Sequence, residues 1–325
     1  MIEASKNAND LSSTTARPCR ILSLDGGGAK GFYTLGALRE IEGLIKRPLC
    51  EGFDIIFGTS TGAIIAALLA LGRSVDEIHL FYTKYVPEIM SRWTRAGRTD
   101  ALRALAEEVF GDAKFTDVKT RIGIVAAKWQ SERPMIFKAH VDQAHGMRAT
   151  FQPGFGVSIA DAVQASCSAY PFFERKVVTT SAGDKIELID GGFCANNPTL
   201  YAIAEAIAAL KLERDALRVV SVGVGVYPER KRLAVRMAKR IPFNSIALLQ
   251  KTLEINTQSM DQLRQILFRD VKTVRINETF ERPELATDLM ENNLEKLNLL
   301  RQKGRDTFAL HERTLAEYLT DGPKL

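Results

Sequence analysis

The chain has 325 residues, 46% of them apolar, which supplies a core for one large α/β domain or two small ones and excludes disorder as its main state. Its 44 Lys and Arg against 39 Asp and Glu leave a net charge of +5, compatible with an anionic partner and too small for a dedicated DNA or RNA coat. The four cysteines, Cys19, Cys50, Cys167 and Cys194, lie far apart without a C-x-x-C pair; no zinc knuckle or disulfide framework is expected, and a reducing cytoplasm is the expected compartment.

Residues 1–18 are small and polar and read as a flexible leader before one folded unit over 19–325, helical from about 228 onward. Arg20–Leu24 reads as a strand, Gly26–Gly31 as a turn, and Gly31–Ile45 as a helix with Leu35, Leu38, Ile41, Leu44 and Ile45 on one face. A strand over Phe53–Phe57 leads to a helix from Thr61, and Ser74-Val-Asp-Glu77 has the spacing of a capping box that starts the next helix. Strands follow at Ile122–Ala127 and Met135–Lys138, and then a hairpin of Lys176–Thr180 with Lys185–Ile189. Ala195–Leu212 is expected to be helical, Arg218–Val224 a buried strand, and Val271–Ile276 a last strand among amphipathic helices. Strands alternating with helices predict an α/β fold with a mainly parallel sheet. The longest uninterrupted apolar run, Ala63–Leu71, is less than half the roughly 20 residues of a spanning helix, so any membrane contact should be peripheral.

Three constellations carry chemistry. Asp25-Gly-Gly-Gly-Ala-Lys-Gly31 joins a strand to a helix; its backbone N–H groups could cradle a pyrophosphate or hold a developing oxyanion. A dinucleotide site also expects an acid at the end of the next strand, and Phe53–Phe57 runs instead into Gly58-Thr-Ser-Thr-Gly62. That second segment matches G-x-S-x-G between an apolar strand and an apolar helix, with Gly58 and Gly62 leaving room for a sharp turn that projects Ser60; plain helix capping is the competing reading. The third is Asp190-Gly191-Gly192 after the hairpin, which is either a reactive carboxylate or a turn.

A serine hydroxyl needs a base. Of the four histidines, His79, His140 and His145 precede Asp190, and His311 sits in an amphipathic helical stretch, so a two-member Ser60–Asp190 dyad is the better expectation. Ordinary aspartate, with a pKa of about 3.9, is a weak base at neutral pH, so burial must raise it. Cys167 and Cys194 flank the proposed segments and read as buried small groups. The run Pro228–Arg240 carries six basic residues and one acid; it reads first as a solvated helix face, and otherwise as a contact for lipid headgroups or a phosphodiester.

Together and in this order, the three motifs resemble the patatin-like phospholipase family, over roughly Arg20–Ser221. Ala165-Ser-Cys-Ser-Ala-Tyr-Pro171 looks like the family's A-S-x-A-x-P stretch with one extra residue. The resemblance implies a patatin-like three-layer α/β/α sandwich and a hydrolase that cleaves acyl esters of membrane phospholipids without calcium or any other cofactor. It implies Ser60 as nucleophile, Asp190 as base, Gly26, Gly27 and Gly28 as oxyanion hole with Lys30 beside it, and Gly58, Gly62, Gly191 and Gly192 in support. A wider likeness, including Phe151–Ser158 and Leu253–Leu263, is to the CapV-type phospholipases of bacterial anti-phage (CBASS) signalling. That implies a membrane-degrading effector switched on by a cyclic dinucleotide such as 3′,3′-cyclic GMP-AMP, with a homodimer or higher oligomer on activation. An ungated lipid hydrolase, a nucleotide-binding module and an NAD(P)-dependent oxidoreductase using the glycine loop are the alternatives.

Overall fold

The computed structural model describes residues 17–146, 148–228 and 242–320, with side chains of the last stretch described from 248. Most of the expected leader and the basic run after Pro228 lie outside the described residues. In chain order, β1 (Cys19–Leu24) leads through a one-turn 3-10 helix to α1 (Gly31–Ile45), and α2 (Leu49–Gly52) to β2 (Ile55–Thr59). Next come α3 (Thr61–Ala70), α4 (Val75–Ser91), α5 (Arg95–Phe110), β3 (Arg121–Lys128), β4 (Pro134–Lys138) and α6 (Ile159–Ser166). The hairpin β5 (Lys176–Thr179) and β6 (Lys185–Asp190) precedes α7 (Gly192–Ala195), α8 (Thr199–Ala208) and β7 (Leu217–Val222). The described chain closes with α9 (Pro242–Leu267), β8 (Lys272–Ile276) and α10 (Leu294–Leu319).

The sheet runs β5-β6-β3-β2-β1-β7-β8, with β4 also paired to β3. From β3 to β8 the pairings are parallel, and β4, β5 and β6 join antiparallel. Side chains on a strand alternate faces, and here that alternation separates two cores. Leu22, Leu24, Ile56, Ile122 and Ile124 pack with α1, α3 and α10 on one face; Ile21, Ile55, Phe57, Val125 and Val219 pack with α8 on the other. The result is the expected three-layer sandwich. All ten residues of α3 are buried, which explains the long apolar run as a core helix. No described helix is long and apolar enough to cross a membrane. The Ser74–Glu77 capping box forms as expected, Glu77 Oε2 accepting from the Ser74 amide at 2.8 Å. The late helix α10 lies tightly along α1, where a side chain at Gly36 would strike the Arg301 carbonyl and one at Gly304 the Tyr33 carbonyl.

Several expectations shift. β2 starts and ends two residues later than expected and runs up to Ser60 itself. The helix expected over Ala195–Leu212 breaks at Asn196-Asn197-Pro198: proline cannot donate the bond that would continue α7, and Asn197 Oδ1 takes the Thr199 amide instead. α5 and α6 were not expected at all.

Candidate active site

Register along β3 brings the two reactive side chains together. Thr59 lies opposite Val125 and Asp190 opposite Ala126, successive residues of one strand, so Ser60, just past Thr59, meets the end of β6. Ser60 sits in the left-handed region, φ 54° and ψ −123°, a strained turn between β2 and α3. The turn is possible because Gly58 packs on the Gly62 carbonyl and Gly62 on the Leu24 carbonyl, where any side chain would collide. Ser166 pins it: the Ser60 amide donates to Ser166 Oγ at 2.9 Å, and that hydroxyl donates to the Val125 carbonyl at 2.5 Å.

The Ser60 hydroxyl donates to Asp190 Oδ2 at 2.7 Å, and the Gly192 amide donates to Asp190 Oδ1 at 2.7 Å. Asp190 is 1% exposed. Burial pushes its carboxyl up to about 6, against the opposing pull of Ser60 and Gly192. Such a group is ionised at neutral pH and a better proton acceptor than ordinary aspartate. Both atoms open on a cavity of about 70 Å³ walled by Ile64, Leu102, Phe172, Phe173, Leu253 and Met290. Those walls suit a hydrocarbon chain. No histidine lines it: His79 packs edge-on against Phe32, and His311 lies on α10.

Across the cavity stands the glycine loop. Gly27 and Gly28 line the same cavity as Ser60, and among the described residues neither amide has a protein acceptor. Gly26 departs from expectation, because its amide already donates to the Asn196 carbonyl at 2.9 Å and a side chain there would strike Asn196. Gly26 therefore anchors the loop. Lys30 also departs. It is 2% exposed and points into a separate small cavity behind the loop, where its ammonium donates to Glu254 of α9 at 3.3 Å. Burial holds its pKa below the ordinary lysine value, with Glu254 pulling the other way. Gly191 and Gly192 carry the chain past Asp190, and a side chain at Gly191 would strike the Val125 carbonyl. Cys167 is buried against the dyad, and burial, helped by Asp190, keeps its thiol protonated. Cys194 is likewise pushed up to about 11.

Further supports lie outside the three motifs. Arg275 of β8 forms a two-pronged ion pair with Asp25, one arm at 2.9 Å, fixing the start of the glycine loop. Asn196 donates to the Gly26 carbonyl at 3.2 Å and to Thr257 of α9 at 2.7 Å, and its own amide donates to Asn256 at 2.8 Å. Ser166 was within reach of sequence reading, inside the Ala165–Pro171 stretch, and Thr257 lies inside the Leu253–Leu263 likeness; Arg275 is far from any motif and gave no signal.

Comparison with known proteins shows the family. The family profile described as patatin-like phospholipase matches residues 22–203. The chain belongs to the patatin-like phospholipase family. A "cUMP-AMP-activated phospholipase" of Escherichia coli is 65% identical over 302 residues, covering 93% of this chain and 94% of the relative. A "cGAMP-activated phospholipase" of E. coli strain TW11681 is 28% identical over 226 residues, covering 64% of this chain and 61% of the relative. "Patatin-like protein 3" of Arabidopsis thaliana is 28% identical over 272 residues, covering 68% and 62% respectively.

Proposed function

We propose that this chain is a phospholipase that cleaves acyl esters of membrane lipids through Ser60 and Asp190, that a cyclic dinucleotide switches it on, and that membrane degradation is its output. The observation that carries the chemistry is the 2.7 Å Ser60–Asp190 hydrogen bond in the wall of an apolar cavity. As Ser60 Oγ attacks the ester carbonyl, its proton passes to Asp190 Oδ2. The oxyanion settles against the Gly27 and Gly28 amides and the N-terminus of α3, where one lost donor typically costs about 10²-fold or more in rate. Asp190 then returns the proton to the departing lipid alcohol, leaving an acyl-Ser60 ester. Water attacks that ester, gives its proton to Asp190, and releases the fatty acid while Ser60 is restored. Lys30 acts at a distance, by holding the loop to α9 rather than by touching the ester.

The gating reading is supported by the relatives' activators. The 65%-identical relative is named for cUMP-AMP and the 28%-identical one for cGAMP, so a uridine-containing cyclic dinucleotide is the first activator to try and cyclic GMP-AMP the second. The test is fatty-acid release from bacterial-lipid vesicles by wild type and Ser60→Ala, with each nucleotide and with none. Release by wild type that requires a cyclic dinucleotide and is absent in Ser60→Ala is the expected result. Equal release without nucleotide leaves a lipase and removes the switch; release by Ser60→Ala removes the dyad.

A further inference from the structure

A groove of about 1000 Å³ opens between β4, the segments 143–146 and 150–155, the β5–β6 hairpin and α8, and it shares no lining residue with the Ser60 cavity. Its volume is at the upper end for small-molecule sites. Glu205 of α8, 2% exposed, lines it. Its Oε2 takes Lys138 at 2.5 Å and His145 at 2.7 Å, while Oε1 is buried with no hydrogen-bond partner. A buried carboxylate oxygen left without a donor is uncommon, and here the residue that carries it lines an open groove.

The aromatic groups beside it are held in an unusual way. Gly154 and Phe155 both adopt left-handed backbone, φ 57° and 56°, which a phenylalanine rarely does, and the Phe155 ring stays 42% exposed. The Phe155 carbonyl accepts from the Ser181 amide at 2.9 Å, tying this strained turn to the hairpin tip. Phe151 and Tyr201 line the same groove, as does Lys128, which has no acidic partner among the described residues. Flat faces, a base-directed acceptor and a cation suited to phosphate are the elements of nucleotide recognition. A smaller groove of about 370 Å³ offers Arg17, Arg121 and Arg148 for phosphate but no aromatic face.

We propose that the groove around Glu205 and Phe155 binds the activating cyclic dinucleotide, its bases stacked on Phe155 and its neighbours, a base N–H on Glu205 Oε1, and a phosphodiester on Lys128. This rests on the gated reading above. Two elements lead from the groove to the chemistry: β6 runs from Ile186 in its wall to Asp190, and α8 runs back from Glu205 towards Asn196, the residue that holds Gly26.

The test measures fatty-acid release against cUMP-AMP concentration for the full chain, with Phe155→Ala, Glu205→Gln and Arg148→Ala. Loss of one stacking face typically weakens binding by about tenfold or more. Phe155→Ala and Glu205→Gln should each raise the half-activating concentration at least tenfold and recover the wild-type rate at saturation, with Arg148→Ala unchanged. Groove variants that follow the wild-type curve, or a shift confined to Arg148→Ala, overturn the assignment while leaving the switch intact. A wild type that neither binds nor responds to any cyclic dinucleotide overturns the gated reading and this site with it. Hydrogen exchange on wild type needs no variant: cUMP-AMP should protect 134–138, 148–155 and 200–206, and protection confined elsewhere overturns the proposal.

Discussion

The proposed reacting groups and, Ser166 and Asn196 apart, the groups that hold them come from different parts of the chain. Gly27, Gly28, Ser60 and Asp190 all lie before residue 200, each at the end of a strand, whereas Arg275, Glu254, Thr257 and Leu253 come from α9 and β8. Each member of the first set is set up locally, by a glycine, a turn and a side chain adjacent in sequence, although Ser60 and Asp190 meet only through the register of β3. The second set exists only after the sheet has closed, when β8 has paired with β7 and α9 has crossed the glycine loop. Chemistry can therefore be read early in the chain, and its tuning cannot.

Removing a reacting group should have the largest effect. Ser60→Ala and Asp190→Asn should each lower fatty-acid release by at least about 10³-fold, because neither residual group replaces the other. In wild type the base form of Asp190 grows as pH rises through about 6, so the rate should fall roughly tenfold per unit below that point.

Removing a holding group should be felt first in stability. Arg275→Met leaves the buried Asp25 carboxylate without its partner and should cost about 3–5 kcal/mol by urea unfolding. An unchanged midpoint would mean that β8 does not hold the loop. Glu254→Gln, which breaks a pair whose Glu254 side chain is 28% exposed, should cost about 1–2 kcal/mol and reduce activity only modestly.

Asp190 connects the two sets, since the burial that makes it a base also costs stability. Between about pH 4 and 6 the folded state keeps a proton that the unfolded chain has released, so wild-type stability falls across that window and the deficit persists above it. Asp190→Asn lacks this cost. It should be inactive yet more stable than wild type at pH 8, by up to about 3 kcal/mol, with the gap closing at pH 4. A variant less stable at pH 8 would show that the carboxylate's hydrogen bonds outweigh its burial.

The same division explains what the sequence disclosed. The strand–glycine–serine–glycine–helix order marks Ser60 as a candidate, whereas the Asp-Gly-Gly step alone reads equally as a turn, and Asp190 is singled out only by the resemblance of the three motifs taken together. Gly26 and Gly28 are indistinguishable in sequence, and only the Asn196 carbonyl, brought in by the break at Pro198, decides which amide is left for an oxyanion. Lys30 reads as a cation beside the site; it became an anchor because Glu254 arrives from α9. Helices α5 and α6 carry weak signals, because four of the eight apolar residues of α5 are alanines and α6 is only eight residues long, too short for a clear period.

The central claim, that Ser60 is made nucleophilic by a buried Asp190, is tested most directly by fluorophosphonate labelling of the full chain followed by peptide mapping across pH 4.5–8. Label confined to Ser60, arriving at a rate that rises through one ionisation near 6 and is lost in Asp190→Asn, is the predicted result. Label on a different serine, or a Ser60 rate indifferent to both pH and the Asp190→Asn change, would contradict it.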